Sequence, residues 1–193
     1  SFGRVYRAVW RGTVVACKLL IDQDVQPQQV HEFRHEVSVL SGIRHPNAVL
    51  FMGACTEAPS LCIVTEYIPN GDLFQLLHSQ VPLSLDAQVS ISLDVAQCLN
   101  HLHHCRPPIL HLDLKTSNIL VRESFCGWTA KVADFGLSRH KTHPYISGSK
   151  GMRGTIPFMA PEVMKKEHFN EMADVFSFGR LLWSIYSRAE PFA

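Results

Sequence analysis

Four polar side chains near the middle of the chain have residue types and spacing typical of a catalytic centre. Asp113, Lys115 and Asn118 occur close together, and a second acid, Asp134, opens an Asp-Phe-Gly sequence. Carboxylate and amide oxygens suit a divalent cation, and a lysine suits a phosphate group. These residue types therefore favour metal and phosphate chemistry over acyl transfer.

The flanking residues predict how these side chains come together. A short apolar run at 119–121 follows Asn118, and another at 130–133 precedes Asp134. Such runs, bounded by polar loops, predict short strands. The two strands would form one hairpin, and the two polar loops would then lie close in space at its end.

Composition narrows the class of protein. The 193 residues allow one large domain or two small lobes, and a hydrophobic content of 46% is enough for a core. The net charge of +1 indicates no general attraction to nucleic acid or acidic lipid. No apolar run is long enough for a membrane span, and the N-terminus has no signal-peptide pattern. The six cysteines form no Cys-x-x-Cys motif, so we expect mostly buried, reduced thiols in a cytoplasmic protein.

The first third of the chain predicts a sheet with one helix. Alternating and β-branched residues predict a strand hairpin around a turn at 11–13. Apolar residues at helical spacing predict a helix that ends before Pro46. The predicted strands cover 4–8, 14–20, 49–53 and 61–67, and the predicted helix covers 28–43.

The remainder of the chain has a mainly helical pattern. Pro-Asn-Gly at 69–71, residues that interrupt helices and strands, precedes it. Long helices are predicted at about 85–104, with Ser84 as N-cap, and at 173–186, and the second helix is predicted to be buried. The Gly- and Ser-rich segment 138–155 predicts a mobile loop. We therefore expect a ligand cleft between two lobes. The predicted division is a small lobe at 1–68, a hinge at 66–71 and a large lobe at 72–193.

Five segments resemble, in the same order, the signature motifs of the protein kinases. They are Gly3-x-Val5, Val15-Ala16-Cys17-Lys18, the segment 111–118, Asp134-Phe135-Gly136 and Ala160-Pro161-Glu162. Each motif alone is weak, but the five together span nearly the whole chain. The resemblance implies an α+β, bilobal fold with a small antiparallel sheet lobe carrying one helix and a larger, mainly helical lobe. It also implies ATP and Mg²⁺ as cofactors and a protein as substrate.

The resemblance implies that Lys18 neutralises nucleotide phosphates. A carboxylate on the following helix must then hold the lysine, and Glu32 and Glu36 both qualify because residues four apart share a helix face. The resemblance favours Glu36.

The resemblance also assigns the polar loops. Asp113 is implied to accept the proton of the substrate hydroxyl, and Lys115 to stabilise charge on the transferred group. Asn118 and Asp134 are implied to hold Mg²⁺, with Gly136 permitting the turn that places Asp134. The hydroxyl of Thr155 is expected to bridge Asp113 and Lys115.

The remaining implied contacts are those of the nucleotide. Gly3 belongs to the loop over the phosphates, and the segment 65–68 resembles the hinge between the lobes. Backbone groups of Glu66 and Ile68 would bind adenine, and Thr65 would guard the pocket behind it. The adenine ring would lie among Val5, Ala16 and Leu120, and Asp72 would reach the ribose.

Two further groups allow more than one interpretation. The segment 111–118 resembles the catalytic loop of the family. Asp174 resembles the buried acid that braces this loop, and it also suits the start of a helix. His101, His103, His104 and Cys105 suggest zinc, but the end of a helix, where histidine suits the dipole, explains them better.

The chain departs from the family pattern at Leu112, where an arginine normally pairs with a phosphate on the activation loop. Leucine cannot form that pair. We therefore expect activity not to require phosphate at Thr142, Ser147 or Ser149. Loss of activity on alanine substitution of all three, with rescue by acidic residues, would contradict this expectation.

The first glycines of the phosphate loop and the last helices of the domain are absent from the sequence, as is the arginine that would pair with Glu162. We therefore expect a fragment of a catalytic domain that aggregates or melts early when expressed alone. A sharp, reversible unfolding transition of the 193 residues would contradict this.

Lys115 and Thr155 resemble serine/threonine kinases. The segments 5–12 and 158–163 resemble the tyrosine-kinase-like group, which includes Raf and mixed-lineage types and some members of dual specificity. The alternative is a pseudokinase or scaffold, although Lys18, Asp113 and Asp134, which such proteins commonly lose, are all present. A small-molecule kinase is disfavoured by Gly154-Thr155 before Ala-Pro-Glu.

Overall fold

A four-stranded antiparallel sheet forms the small lobe of this computed structural model, which describes residues 3–20, 27–57, 60–140, 146–147 and 155–192. The strands lie in the order β1-β2-β4-β3. Helix α1 packs beside the sheet, where Phe33 of the helix is buried with Leu61 and Ile63. The strands are β1 (Arg4–Trp10), β2 (Thr13–Leu19), β3 (Phe51–Cys55) and β4 (Cys62–Glu66), and the helix α1 is Pro27–Gly42.

A two-residue turn joins the first two strands, since Trp10 pairs with Thr13. Arg11 and Gly12 both have positive φ, 52° and 79°. Positive φ at both central residues matches the twist of the flanking strands and defines a tight hairpin turn. The predicted turn at this position is confirmed.

The large lobe consists of helices around one strand hairpin. Its helices are α2 (Leu73–His78), α3 (Leu85–His103), α4 (Pro161–Met164) and α5 (Met172–Ser187). The hairpin is β6 (Ile119–Ser124) and β7 (Gly127–Val132), and two short antiparallel pairs join β5 (Ile109–Leu110) to β8 (Arg139–His140) and β9 (Ile146–Ser147) to β10 (His168–Phe169).

A helix cap and a large apolar core position these elements. Ser84 caps α3 by accepting a hydrogen bond from the backbone N–H of Ala87, as predicted. The main core is built from α3, α5 and the β6–β7 hairpin, and it buries Phe135 completely beside the polar loops. The hairpin that carries Asn118 and Asp134 at its ends is therefore held rigidly from both sides.

Backbone pairing joins the two lobes. The segment before β3 bonds to β7, with Val49 N donating to Val132 O at 2.9 Å and Val132 N donating to Asn47 O at 2.8 Å. On the other side of the hairpin, Val121 N donates to Gly71 O at 3.0 Å. These bonds explain why β3 begins at Phe51 rather than at 49, since the preceding residues pair with the large lobe.

The structure corrects two predictions about burial. Helix α5 is buried on one face only, because Met172, Val175, Trp183 and Tyr186 are each about half exposed. Among the six cysteines, all of them free, Cys98 is buried, Cys126 is exposed and the other four are intermediate. The free thiols agree with the prediction, but their general burial does not, because apolar neighbours along a strand alternate between its two faces.

The segment 138–155, predicted as a mobile loop, falls largely outside the described residues, as do Thr142 and Ser149. Within it, two short strands are described, β8 and β9. Across the described residues, no helix has the length and apolar character needed to cross a membrane. The exact boundaries of the lobes stay a prediction.

Candidate active site

An ion-paired triad lies where the two lobes meet. Lys18 on β2 places its Nζ 2.7 Å from Glu36 Oε1 on α1 and 3.0 Å from Asp134 Oδ1 after β7. Of the two acids that the sequence left open on the helix, Glu36 lies against Lys18, and it is only 8% exposed. One ammonium group thus connects the sheet, the helix and the hairpin loop.

Burial and charge set the pKa values of this triad in opposite directions. Burial alone would lower the pKa of Lys18, but the charges of Asp134 and Glu36 outweigh it and raise that pKa. Burial alone would raise the pKa of Asp134, but Lys18 outweighs it and lowers the pKa. For Glu36, burial prevails over Lys18, and the pKa is raised. Lys18 and Asp134 are therefore stabilised as a charged pair, whereas the charge on Glu36 carries a desolvation cost.

A second cluster is centred on the Asp113 carboxylate. Its Oδ2 lies 2.9 Å from Lys115 Nζ and accepts a hydrogen bond from Asn118 Nδ2 at 3.0 Å. Its Oδ1 accepts the Thr155 hydroxyl at 3.2 Å. Lys115 Nζ also donates to Thr155 Oγ1 at 2.8 Å, so the hydroxyl bridges the acid and the lysine. The cluster combines a carboxylate that can accept a proton with a cation beside it.

The donor set fits a hard cation at the end of the hairpin. Asn118 is directed with its amide nitrogen toward Asp113, also donating to Asp113 O at 2.7 Å, which leaves the Asn118 Oδ1 atom as the ligand end. Asp134 uses Oδ1 for Lys18, which leaves Oδ2. Ala133 N donates to Asn118 O at 2.9 Å, so the two loops are adjacent. Two hard oxygen donors of this kind, completed by phosphate and water, suit Mg²⁺. The described residues contain no group of three or more His, Cys, Asp or Glu side chains that could hold a metal ion by themselves.

The backbone of the catalytic loop is held in an unusual conformation. Leu112 has φ 64° and Asp134 has φ 57°, in the left-handed region that costs about 1–2 kcal/mol for a residue with a side chain. The fully buried carboxylate of Asp174 accepts the N–H groups of His111 and Leu112, both at 2.8 Å. These two bonds offset the cost at Leu112.

Histidine side chains complete this support. His111 Nδ1 accepts the Asp113 N–H at 3.3 Å, so the proton lies on Nε2, which donates to Ala133 O at 3.1 Å. His103 Nε2 lies 2.8 Å from Asp174 Oδ2. His103, at the end of α3, therefore belongs to the bracing network of Asp174.

Gly136 has a different physical role from the one expected. The positive φ falls on Asp134 rather than on the glycine. A Cβ atom at Gly136 would lie 3.2 Å from Glu36 Oε2 and 3.3 Å from Asp134 Oδ1. A side chain at this position would therefore crowd the two carboxylates of the triad, which would have to move by a few tenths of an ångström.

The residues expected around adenine share one face of the sheet. In the strand register, Val5 opposes Lys18 and Ala16 opposes Thr65, so all four side chains point to the same side. Gly3 precedes β1, and a side chain does not fit there because a Cβ atom would lie 2.6 Å from Leu19 O. Leu120 is bridged to Asp72 by backbone pairing on the large-lobe side.

Two of the expected nucleotide contacts, those of Glu66 and Asp72, are modified by the structure. The N–H of Glu66 donates to Leu50 O at 3.0 Å, so adenine can be bound only by the Glu66 carbonyl, which also accepts the Thr65 hydroxyl at 3.3 Å. The side chain of Glu66 is paired with Lys131 at 2.6 Å. Both carboxylate oxygens of Asp72 accept from Gln75 at the start of α2, so its contact with ribose stays a prediction.

Sequence reasoning missed two contacts that support the site. One is the pair of Glu66 and Lys131 between the hinge and β7. The other is the hydrogen bond from Thr116 Oγ1 to Glu190 Oε1, 2.7 Å long, which ties the catalytic loop to the residues after α5. The spacing of these residues carries no signal for either contact, because the partners are distant in sequence.

Comparison with known proteins identifies the family. The family model described as "Protein tyrosine and serine/threonine kinase" matches residues 1–193. The chain therefore belongs to the protein kinase family, and the predicted family and bilobal α+β fold are confirmed.

Relatives of known name agree with this. The chain is 47% identical to "Serine/threonine-protein kinase CTR1" of Arabidopsis thaliana, with 99% of the chain and 23% of the relative covered. It is 46% identical to "Probable serine/threonine-protein kinase SIS8" of the same plant, with 99% and 18% covered. It is 44% identical to "Dual specificity protein kinase shkC" of Dictyostelium discoideum, with 100% and 38% covered. The chain thus spans well under half the length of these relatives.

Proposed function

We propose that this chain transfers the γ-phosphoryl group of Mg-ATP to serine or threonine hydroxyl groups of protein substrates in the cytoplasm. The observation that carries the proposal is the Asp113 cluster, in which one carboxylate contacts Lys115, Asn118 and Thr155 together. The cluster lies beside the triad of Lys18 with two acids. One centre thus presents a proton acceptor next to cations suited to phosphate.

The roles follow from the chemistry of each group. Asp113 orients the substrate hydroxyl and accepts its proton, and Thr155 fixes the carboxylate from the side of the incoming peptide. Lys115 stabilises negative charge on the transferred phosphoryl group. Proton acceptance and charge stabilisation come from neighbouring residues whose side chains are already in contact, so little reorganisation is needed.

The nucleotide would occupy the cleft under the β1–β2 hairpin. Lys18, held by Glu36, binds phosphate oxygens, and the carbonyl of Glu66 with the backbone of Ile68 binds adenine. Thr65 limits the depth of the pocket, and Asp72 lies at the ribose side. Asn118 Oδ1 and Asp134 Oδ2 would hold Mg²⁺, which supplies positive charge to the phosphates when bound.

The choice of serine and threonine over tyrosine rests on Lys115 and Thr155. Their contact brings a cation and a short hydroxyl close to Asp113. The named relatives are serine/threonine kinases, with one of dual specificity. No feature of the described residues favours the alternative of an inactive scaffold, because Lys18, Asp113 and Asp134 are present and paired.

The decisive experiment compares three versions of the chain, expressed with the flanking sequence of its gene, in Mg-ATP with a generic protein substrate. Asp134→Asn removes the cation ligand, and Asp86→Asn, exposed at the start of α3, is the matched control. We expect phosphoserine and phosphothreonine from the native and control proteins only. Equal incorporation by the native protein and Asp134→Asn, or phosphotyrosine alone, would overturn the proposal.

A further inference from the structure

Three cysteines form a row across the small-lobe sheet. Cys62 on β4 is directly opposite Cys55 on β3. Cys17 on β2 pairs with Val64, two residues from Cys62 on the same strand. Residues opposite each other, or two apart on a strand, share a face of the sheet, so the three thiols lie on the same side.

This row is accessible and lies apart from the active site. All three thiols are free and partly exposed. They lie on the face opposite that of Lys18, because side chains alternate along β2. A reagent can therefore reach them without entering the nucleotide cleft.

Strand geometry decides which pair can be joined. Directly opposed residues of antiparallel strands have Cα atoms about 4.5–5.5 Å apart, within the range of about 4.4–6.8 Å that a disulfide requires. Diagonal neighbours such as Cys17 and Cys62 are about 7–8 Å apart, too far without backbone movement. Cys55 is therefore the partner that Cys62 can reach within the native sheet.

We propose that Cys62 is a redox-active thiol that a hydroperoxide converts into a reversible cross-strand disulfide with Cys55. The thiolate of Cys62 attacks the peroxide, gaining one oxygen as a sulfenic acid and releasing an alcohol or water. The Cys55 thiolate then attacks that sulfur, the S–O bond breaks and hydroxide leaves to become water. Two thiols lose two hydrogens, and the peroxide is reduced by two electrons.

Cys17 acts as a neighbour and not as the partner. Burial and the adjacent Cys62 raise the pKa of the Cys17 thiol, so it stays protonated. The thiolate is the nucleophile in such reactions, and Cys17 is a poor one. The inference does not depend on the proposed kinase activity.

Mass spectrometry of the folded protein, expressed with the flanking sequence of its gene, tests the proposal. The chain is treated with hydrogen peroxide, remaining thiols are alkylated, and a glutamate-specific protease cuts after Glu57 between the two cysteines. We expect a Cys55–Cys62 peptide pair that dithiothreitol separates. The pair is expected to disappear in Cys55→Ser and Cys55→Ala, and to persist in Cys17→Ser and in the exposed control Cys126→Ser.

Each other outcome would overturn the proposal. A Cys17–Cys62 linkage would show that the sheet moves and that the partner is wrong. Absence of any linkage in the native chain, or a linkage that forms only in urea, would show that the folded sheet does not support the reaction. Circular dichroism on each variant separates a lost linkage from a lost fold.

Discussion

The Thr155 hydroxyl offers the sharpest test of the proposed catalytic geometry. It donates to Asp113 Oδ1 at 3.2 Å and accepts from Lys115 Nζ at 2.8 Å. Each bond involves a charged group, for which about 1.5–3 kcal/mol is typical, and partial exposure favours the lower end. If about 2 kcal/mol of this orients Asp113 in the transition state, its loss lowers kcat/KM about 30-fold.

Thr155→Val keeps the branched shape and removes the hydroxyl, whereas Thr155→Ser keeps the hydroxyl and removes a methyl group. We expect the large decrease in kcat/KM for valine and a decrease of less than about fivefold for serine, measured by steady-state phosphorylation of one peptide. KM for ATP should stay unchanged in both variants. Equal loss in the two variants, or a loss confined to ATP binding, would refute the assigned role of the hydroxyl.

Four other substitutions have expected outcomes. Asp174→Asn removes the carboxylate that holds two backbone N–H groups. We therefore expect kcat to decrease at least tenfold and the melting temperature, measured by differential scanning calorimetry, to decrease by several degrees. Unchanged values of both would contradict this expectation. Leu112→Arg inserts a cation into an apolar cluster, and the free energy of unfolding in urea should decrease by about 1–2 kcal/mol. Glu36→Gln and Asp134→Asn should change the pH dependence of stability in opposite directions, measured by urea unfolding from about pH 3 to about pH 7.

The signs of this last pair follow from the pKa directions. The pKa of Glu36 is raised from 4.5 in the folded chain, so the native protein loses stability as pH rises from 4.5 through the folded pKa. Glu36→Gln lacks that loss, so its free energy of unfolding should increase relative to that of the native protein as pH rises. The pKa of Asp134 is lowered from 3.8, so its contribution is present above 3.8 and lost as pH falls through the folded pKa. The free energy of unfolding of Asp134→Asn should therefore decrease relative to that of the native protein as pH rises. The same pH dependence of stability in both variants would contradict these signs.

The parts of the fold that the sequence predicted depend on local pattern. The β6–β7 hairpin follows from two apolar runs bounded by polar loops, and its register places Ile119 opposite Val132 as the pattern requires. The cap at Ser84 follows from the residue type alone. The residues at the two polar loops were predicted because their types and order are specific to one chemistry.

Other features depend on contacts between distant segments. Glu32 and Glu36 share a helix face, so only the packing of α1 could show which acid meets Lys18. Helix α5 is strongly apolar, a composition that predicts burial, yet Trp183 is half exposed. The left-handed backbone at Leu112 has no signature in the sequence, because it is imposed by Asp174, which lies about sixty residues away.

Two kinds of connection fix the small lobe over the large one, and they differ in how they can be changed. Asn47 and Val49 bond to Val132 through backbone groups, which no change of side-chain charge removes. Lys18 reaches Asp134 through a side-chain ion pair that depends on the charge of both groups and on Glu36. Loss of charge at Glu36 should therefore misplace Lys18 without separating the lobes. A shift of α1 would break the contact of Glu36 with Lys18 and would leave the backbone bonds of Asn47 and Val49 to Val132 intact.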